Sequence, residues 1–487
     1  MGAMRRLAAG ALPLLAATGC GDAGGLGDEA AGRAVANIAA VPDDVRCVRV
    51  TVRGATLSFG VTAAAPASFD LGALPSGSSQ VSAQAFNAAC AAVTAATAPT
   101  WVGDPVSVNV SAGLTSAVAL TLRPNTRTAA SVDFVRPARA VSAGELYTLA
   151  LLDDGTVRAW GSNISGQLGD GTTTPRATPV AVAGLAGVRQ VAAGYSHACA
   201  LLADGSAMCW GRNNTGQLGD GTTTARLTPV AVAGGLRFSQ ISAGFGHTCG
   251  LTADAIPALY CWGSNILGEI GDGPSTPRLT PTATGLGGAY PVEVTAGSSY
   301  TCVRTHQGFV LCTGYNVDSR FGATVADPVA YSPVYTPYRA LRGISLAESH
   351  SCGALYDGSV RCVGSNYTGQ LGDGTTTSRG APAPVSGLSD VTQVATGTQH
   401  ACALRSDGTV WCWGGGDSGT LGDGRAAGST TPVPVADLTG VTQIACGTGH
   451  CCARRADGGV WCWGNNNSFQ LGDGTINTRF TPGRASL

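Results

Sequence analysis

One phrase recurs from residue 141 to the end of the chain, in seven copies spaced by about fifty residues. In its fullest form it reads Ala193-Gly194-Tyr195-Ser196-His197-Ala198-Cys199-Ala200-Leu201, then Asp204-Gly205, then Cys209-Trp210-Gly211, Asn213 and Gly216-Gln217-Leu218-Gly219-Asp220-Gly221. Marking the place held by Gly194 gives Gly144, Gly194, Gly244, Gly297, Glu348, Gly397 and Gly447. A period of this length means a solenoid, an array or a propeller. Each copy offers four short strand candidates, for example Val188–Ala192, His197–Leu202, Ala207–Trp210 and Pro179–Ala183. Four antiparallel strands repeated seven times predict an all-β, seven-bladed β-propeller. The 71 glycines, with no collagen-like period, agree with many short strands joined by turns.

Two propeller repeats of similar length do not fit. The Trp-Asp repeat is shorter and needs a Gly-His…Trp-Asp pair that is absent, and the kelch Gly-Gly doublet does not recur in register. The phrase resembles the regulator of chromosome condensation repeat, including the bacterial propellers of the β-lactamase-inhibitor protein type II kind. The stretch from Trp to Asp-Gly recurs at 160–171, 210–221, 262–273, 363–374, 413–424 and 463–474, with Val363 in place of Trp in one copy. The copy at 313–324 departs from it. The resemblance covers about 350 of the 487 residues and implies a rigid ring that recognises partners through its loops.

The cysteines test this reading. Six copies carry a pair: Cys199 with Cys209, Cys249 with Cys261, Cys302 with Cys312, Cys352 with Cys362, Cys402 with Cys412, and Cys452 with Cys462. The first copy has neither, with Leu149 and Ala159 in their places. Both present or both absent is the signature of a bond. A three-residue hairpin loop such as Ala203-Asp204-Gly205 sets Cys199 opposite Cys209 in a non-hydrogen-bonded pair, roughly 4.5 Å apart at Cα and within disulfide reach. Each bridge would contribute about 2–3 kcal/mol by constraining the unfolded chain. Such bonds persist outside the reducing cytosol. Pairs ten residues apart on adjacent strands do not build a tetrahedral zinc site. Cys47 and Cys90 are expected to bridge the N-terminal domain. For Cys446 and Cys451 the sequence leaves open a mutual bond or free thiols.

The N-terminus reads as a targeting segment. Arg5 and Arg6 precede a small apolar run, Leu7–Ala17, which is too short to span a bilayer, and Ala17-Thr18-Gly19-Cys20 follows. That ending resembles a bacterial lipobox, with Cys20 as the lipidated residue and Ala17 where Leu is usual. The expected organisation is a lipoprotein signal peptide over 1–20 and a flexible tether over 21–36. A small β-sandwich of immunoglobulin-like or prealbumin-like type follows over 37–125, then a linker over 126–137 and the propeller over 138–487. Cys47–Val52, Ser79–Phe86, Val106–Val110 and Ala117–Leu122 are the sandwich's strand candidates. Val132–Val135 could instead pair into the last blade and close the ring.

Formal net charge is −1, charged residues are 12% of the chain, and every basic residue is Arg; bulk electrostatics point to no nucleic-acid partner. Five of six histidines share one repeat position (His197, His247, His350, His400, His450), which suits packing rather than catalysis. They are too far apart around a ring to share one metal ion. His306 belongs to a hairpin loop. The repeated Asp170, Asp220, Asp272, Asp373, Asp423 and Asp473 are turn residues without calcium-loop spacing. Gly19-x-Gly21-x-x-Gly24 follows no strand and is chance. No nucleophile elbow, zincin helix or phosphate loop occurs, so no enzyme, metal or cofactor is expected.

Where copies differ, function can live. The fourth departs most, gaining Arg320, Phe321, Tyr331, Tyr335, Tyr338 and Arg339 between Tyr315 and Arg342; Tyr and Arg are enriched at interface hot spots. The sequence predicts an exported, membrane-anchored monomer of the cell envelope (outer membrane or cell surface), or alternatively a secreted one, that binds a protein or glycan through one propeller face. The alternative implied by the resemblance is regulatory guanine-nucleotide exchange.

Overall fold

A first strand, a hairpin of second and third strands, and an outer fourth strand form the building unit, and it occurs seven times between 138 and 484. The structure, a computed structural model, describes residues 31–38, 47–52, 55–60, 67–75, 77–86, 99, 101–103, 106–110, 115–120, 122–124, 137–322 and 328–487. The chain divides into two units, 1–133 and 134–487.

In the second unit each sheet takes four consecutive strands in sequence order. The second blade is Val188–Ala193, His197–Leu202, Ala207–Gly211 and Arg226–Ala231. Its outer strand therefore comes from its own copy. Pro179–Ala183, expected there, falls largely within Arg176–Ala181, which completes the first blade. The last blade is likewise complete within 441–484 (Val441–Cys446, His450–Arg455, Val460–Gly464, Arg479–Arg484). Closure is made by contacts: Ala138 donates its N–H to Gly458 O (2.8 Å), Arg454 Nε donates to Ala138 O (2.6 Å), and Trp160 Nε1 donates to Gln470 O (2.9 Å). Val132–Val135 lie outside the described residues.

Burial follows from stacking. The second strand of the second blade is buried at five of six positions, whereas its outer strand alternates between half-buried and exposed. Sheets covered on both faces need no polar alternation, which is why the second strands read as apolar runs. The third-strand Trp plugs five of the seven seams, with Thr313 and Val363 at that position in the fourth and fifth blades. Trp210 is fully buried and donates to Gln167 O of the preceding blade at 2.9 Å; Trp262, Trp413 and Trp463 do the same to Gln217, Gln370 and Thr420. Room for the indole requires glycine on that loop: a Cβ on Gly169 would lie 2.7 Å from Trp210 Nε1, at a φ of +67°.

Histidine makes the second seam contact. His197 Nε2 meets Thr248 Oγ1 of the next blade at 2.8 Å, His247 meets Thr301 at 2.8 Å, and His450 meets Thr148 at 2.9 Å. Those hydroxyls donate onward to the Gln217, Glu269 and Gln470 carbonyls. Tyr147 and Tyr300 take the histidine position in the other two blades and reach a backbone carbonyl of the next blade, His197 O and His350 O. His350 faces Ala401 across its seam, and neither ring nitrogen has a hydrogen-bond partner.

Disulfides staple six of the seven blades. Cys199 bonds Cys209, Cys249 bonds Cys261, and Cys302 bonds Cys312. In the later blades Cys352 bonds Cys362, Cys402 bonds Cys412, and Cys452 bonds Cys462. Their Cα separations are 4.0–4.1 Å, because each pair sits directly opposite across the second and third strands. Of the two alternatives left open for Cys446 and Cys451, the structure has the mutual bond. Cys47 is disulfide-bonded, while Cys90 and Cys20 lie outside the described residues.

The first unit holds two sheets. One orders Ala67–Pro75, Ala31–Ile38 and Thr115–Leu120. The other orders Ala55–Gly60, Cys47–Val52, Gly77–Phe86, Trp101–Gly103 and Leu122–Pro124, with Val106–Val110 also pairing Gly77–Phe86. Strand pairing defines the two sheets; it does not define the face-to-face packing of the expected sandwich. The tether expected over 21–36 is corrected at its end. Residues 31–36 are strand, because Ala31–Ile38 finds backbone partners on both sides, antiparallel and parallel. No helix among the described residues is long and apolar enough to cross a membrane.

Two predictions follow from the seams. Ala401→Thr supplies a hydroxyl that can accept from His350 Nε2 and donate to Gln370 O, as Thr248 does between His197 and Gln217. It should stabilise the chain by about 1 kcal/mol in denaturant titration, and a loss of stability would refute the vacancy at that seam. The second concerns acid. Burial lowers the pKa of His197, His350 and His450 to about 3 and of His247 and His400 to about 4, against roughly 6.5 in the unfolded chain. Between those values the unfolded chain binds protons that the folded chain refuses. Stability is therefore full above pH 6.5 and falls toward pH 4, by up to about 1.4 kcal/mol per histidine per unit. Equal unfolding free energies at pH 7 and pH 5, disulfides intact, would contradict this.

Candidate binding face

Strand order places two sets of loops at one end of the ring. The turn between first and second strands lies beside the loop between third and fourth strands: Ser162 N–H donates to Leu146 O, and Arg212 N–H to Ser196 O (both 2.9 Å). The opposite end carries the hairpins, where Asp-Gly recurs in five blades (Asp154, Asp204, Asp357, Asp407, Asp457).

Six of the seven long loops are built around one asparagine, and the sixth blade has Gly416 in its place. Asn213 Nδ2 donates to Thr222 O and Thr224 O (3.0 Å each) and to Asp220 Oδ1 (3.1 Å), while its Oδ1 accepts from Leu218 N–H (3.0 Å). Asp220 accepts from Thr222 through one oxygen and from Arg226 at 2.8 Å through the other. Burial alone would raise the Asp220 pKa, but these hydrogen bonds outweigh it and the net shift is downward; Asp170, Asp373 and Asp473 behave alike. Their carboxylates are engaged by the protein's own donors, as turn residues should be.

On this fixed frame the outward positions vary. The residue after the asparagine, or after Gly416 in the sixth blade, is Ile164, Asn214, Ile266, Val317, Tyr367, Asp417 and Asn467 in successive blades. Ile164 and Tyr367 are each 76% exposed. Nearer the axis, the residue after the repeat glycine is Glu145, Tyr195, Phe245, Ser298, Glu348, Thr398 and Thr448. These seven line an axial depression of about 200 Å³. This alignment corrects the fifth copy: Ala347 holds the Gly194 position, and Glu348 stands one residue further on. The register is fixed by Ala347 N–H donating to His350 O (3.0 Å), just as Gly194 N–H donates to His197 O (2.9 Å).

Within the depression the Tyr195 and Phe245 rings lie 4.0 Å apart. Burial raises the Glu145 pKa, opposed by a hydrogen bond from Tyr195 and by the nearby Arg212 guanidinium. That same bond, together with burial, pushes Tyr195 up to about 12. Glu348 is exposed. Two carboxylates beside two aromatic rings favour a cationic or amphipathic group at the axis.

The six residues singled out in the fourth copy do not converge. Arg320 (5% exposed), Phe321 (1%) and Tyr338 (2%) are core. The reason lies in the fifth blade, where Val363 replaces the seam Trp. Phe321, where other loops have Leu or Ile, and Tyr338 pack with Val363 and fill the space an indole takes elsewhere. The Tyr338 hydroxyl donates to Ser351 O (3.0 Å). Arg320 lies over the Tyr315 ring at 4.9 Å and the Tyr300 ring at 5.7 Å. Tyr331 lies in the outer strand Val329–Tyr335, next to Gly268 on the loop face. Tyr335 and Arg339 lie at the hairpin end, both against Phe309. The departure also starts later than expected, because Phe321 N–H still donates to Asn316 Oδ1 (3.0 Å). Of the histidines, the five repeated ones are seam residues, and His306 is exposed beside Tyr290. The axial residues escaped sequence reasoning because they sit inside the repeat phrase. Their one signal was variation at a position flanked by near-constant residues.

Seven four-stranded sheets around an axis define a seven-bladed β-propeller. The chain belongs to the regulator of chromosome condensation (RCC1) repeat family, whose repeats match residues 138–167, 188–217, 238–269, 391–420 and 441–470, and in a second description 154–201, 204–251, 357–404, 407–454 and 457–487. It is 51% identical over 47 residues to the human and mouse E3 ubiquitin-protein ligase HERC2, a match to 10% of this chain that spans about 1% of those relatives' length. Human WBSCR16 has a similar fold (TM-score 0.61, 23% identity, 68% of this chain and 95% of that one). So does Prp20p of Saccharomyces cerevisiae, studied for its binding to Gsp1p and histones (TM-score 0.61, 19% identity, 72% and 88%).

The core role of the fourth-copy aromatics predicts that Phe321→Leu opens a cavity beside Val363 and costs about 1–2 kcal/mol. Adding Val363→Trp to that variant should recover part of the loss in a double-mutant cycle; strict additivity would show that the two sites do not share volume.

Proposed function

We propose that this chain is an exported, membrane-anchored binding protein, not an enzyme, that grips a protein or glycan through the loop face of its propeller. One observation carries the reading: on a frame repeated almost residue for residue, two rings of outward positions differ from blade to blade. Loops held by a rigid scaffold are where recognition is built. The exposed Ile164, Ile266 and Tyr367 give apolar anchors at the rim, and the axial carboxylates and rings give a polar, aromatic centre. The seven propeller disulfides accord with an oxidising compartment, and with Cys20 as a lipid-bearing residue. Partner and anchor together would hold the propeller at the cell envelope as a monomer, without nucleic acid.

The test compares faces. Immobilised chain should retain an envelope component, and Ile164→Asp with Tyr367→Asp should weaken retention at least tenfold. Asp204→Ala at the hairpin end should leave it unchanged. Equal losses from both ends, or no retention at micromolar concentration, would sink the proposal. Palmitate labelling of producing cells should be abolished by Cys20→Ser; persistent label would remove the anchor from it.

A further inference from the structure

The Cys446–Cys451 bridge is unlike the other six in the propeller. Those join second and third strands inside a blade, and every sulfur-bearing residue in them is no more than 1% exposed. Cys446–Cys451 joins first and second strands, in the seventh blade alone. Cys446 is half-buried and directly precedes Gly447 and Thr448, which line the axial depression, although it is not itself a lining residue. Its partial exposure makes this the propeller bridge that a reductant reaches first. Thiol–disulfide exchange depends on such access.

Cys451 also breaks the seam pattern. It occupies the position of Thr248 and Thr301, so His400 of the sixth blade meets sulfur where His197, His247 and His450 meet hydroxyl. His400 Nε2 lies 3.1 Å from Cys451 Sγ. The ligand atoms of His400, Cys446 and Cys451 all lie within 4.8 Å of one another. Cys402 Sγ is 3.7 Å from Cys451 Sγ but is bonded to Cys412 and is no ligand.

We propose that, once the Cys446–Cys451 disulfide is reduced, Cys446 Sγ, Cys451 Sγ and His400 Nε2 bind one thiophilic divalent cation of the zinc type at the seam between the sixth and seventh blades. The step balances. A dithiol passes two electrons and two protons to the bridge and becomes a disulfide, leaving two cysteine thiols; metal binding then releases those two protons. Two thiolates and one neutral imidazole are ordinary zinc donors. The bridge and the metal site exclude each other, so occupancy reports the redox state of the compartment.

The test uses the full chain. Graded dithiothreitol under native conditions, followed by iodoacetamide trapping and peptide mass analysis, should label Cys446 and Cys451 before any other pair. After anaerobic removal of reductant, Co²⁺ should bind at one ion per chain with thiolate-to-cobalt charge-transfer absorption, and Zn²⁺ should displace it. The oxidised chain should show no such absorption. Cys446→Ala, which installs the residue four other blades carry, should weaken Co²⁺ binding at least tenfold while keeping the oxidised chain's melting temperature within a few degrees. His400→Ala should weaken binding similarly. First opening of a second-to-third-strand bridge, labelling only on unfolding, or Co²⁺ binding unaffected by Cys446→Ala would each overturn the proposal.

Discussion

Everything in the propeller depends on the seam between blades, where one sheet's third-strand Trp lies against the preceding blade's loop. A four-stranded sheet of this size cannot bury both faces alone. The ring solves that by giving every blade two neighbours, with the first and seventh meeting as the others do. The indole supplies volume and a donor, the loop supplies a carbonyl and a glycine that leaves room, and histidine and threonine add a hydrogen bond nearer the axis. Four residue types at fixed spacing thus recur not as a binding signature but as the hardware of blade-to-blade contact. Inner strands add Gln side chains: Gln190 and Gln393 each exchange two hydrogen bonds with the next blade's Ile241 and Ile444 backbone, which occupies an edge that a flat sheet would leave open.

The propeller was legible in the sequence because a seam contact must be made seven times with the same geometry. The cysteine pairs were legible for a related reason: two residues that covary as present or absent, ten apart around a tight turn, have few other uses. What could not be read was compensation across a seam. Val363 looks like a damaged repeat and Phe321 like an exposed aromatic until they are seen to share one space. Strand ownership was also hidden, since a strand between two copies, Arg176–Ala181, can be assigned to either until pairing is known. The one-residue slip at Glu348 arose because Ala347 replaces the glycine used as landmark. In the first unit, 31–36 lacked a repeat against which to be compared.

The candidate face was only partly legible. Sequence contrast pointed to the fourth copy, where whole motifs are lost, but loss of a motif marks internal repair as readily as recognition. The axial and rim positions change one residue at a time, and only the structure shows that these changes face outward in register.

Two further departures show how closely the seams are matched. The loop glycine that approaches the next blade's outer strand (Gly166, Gly216, Gly268, Gly369, Gly419) is replaced by Ser319 and Phe469, at φ of 56° and 66°. The residue it faces is Leu227, Leu279, Tyr331, Thr430 or Phe480 where glycine is kept. By repeat position, the residues facing Ser319 and Phe469 are Gly380 and Ala177. A side chain is gained on one wall where one has been lost from the other, and the left-handed backbone is retained despite its cost for a non-glycine residue. The unit on which variation acts in this protein is therefore the pair facing across a seam. A residue can change freely only if it faces solvent, and that condition separates the exposed positions of the loop face from the buried Phe321 and Tyr338 of the fourth copy.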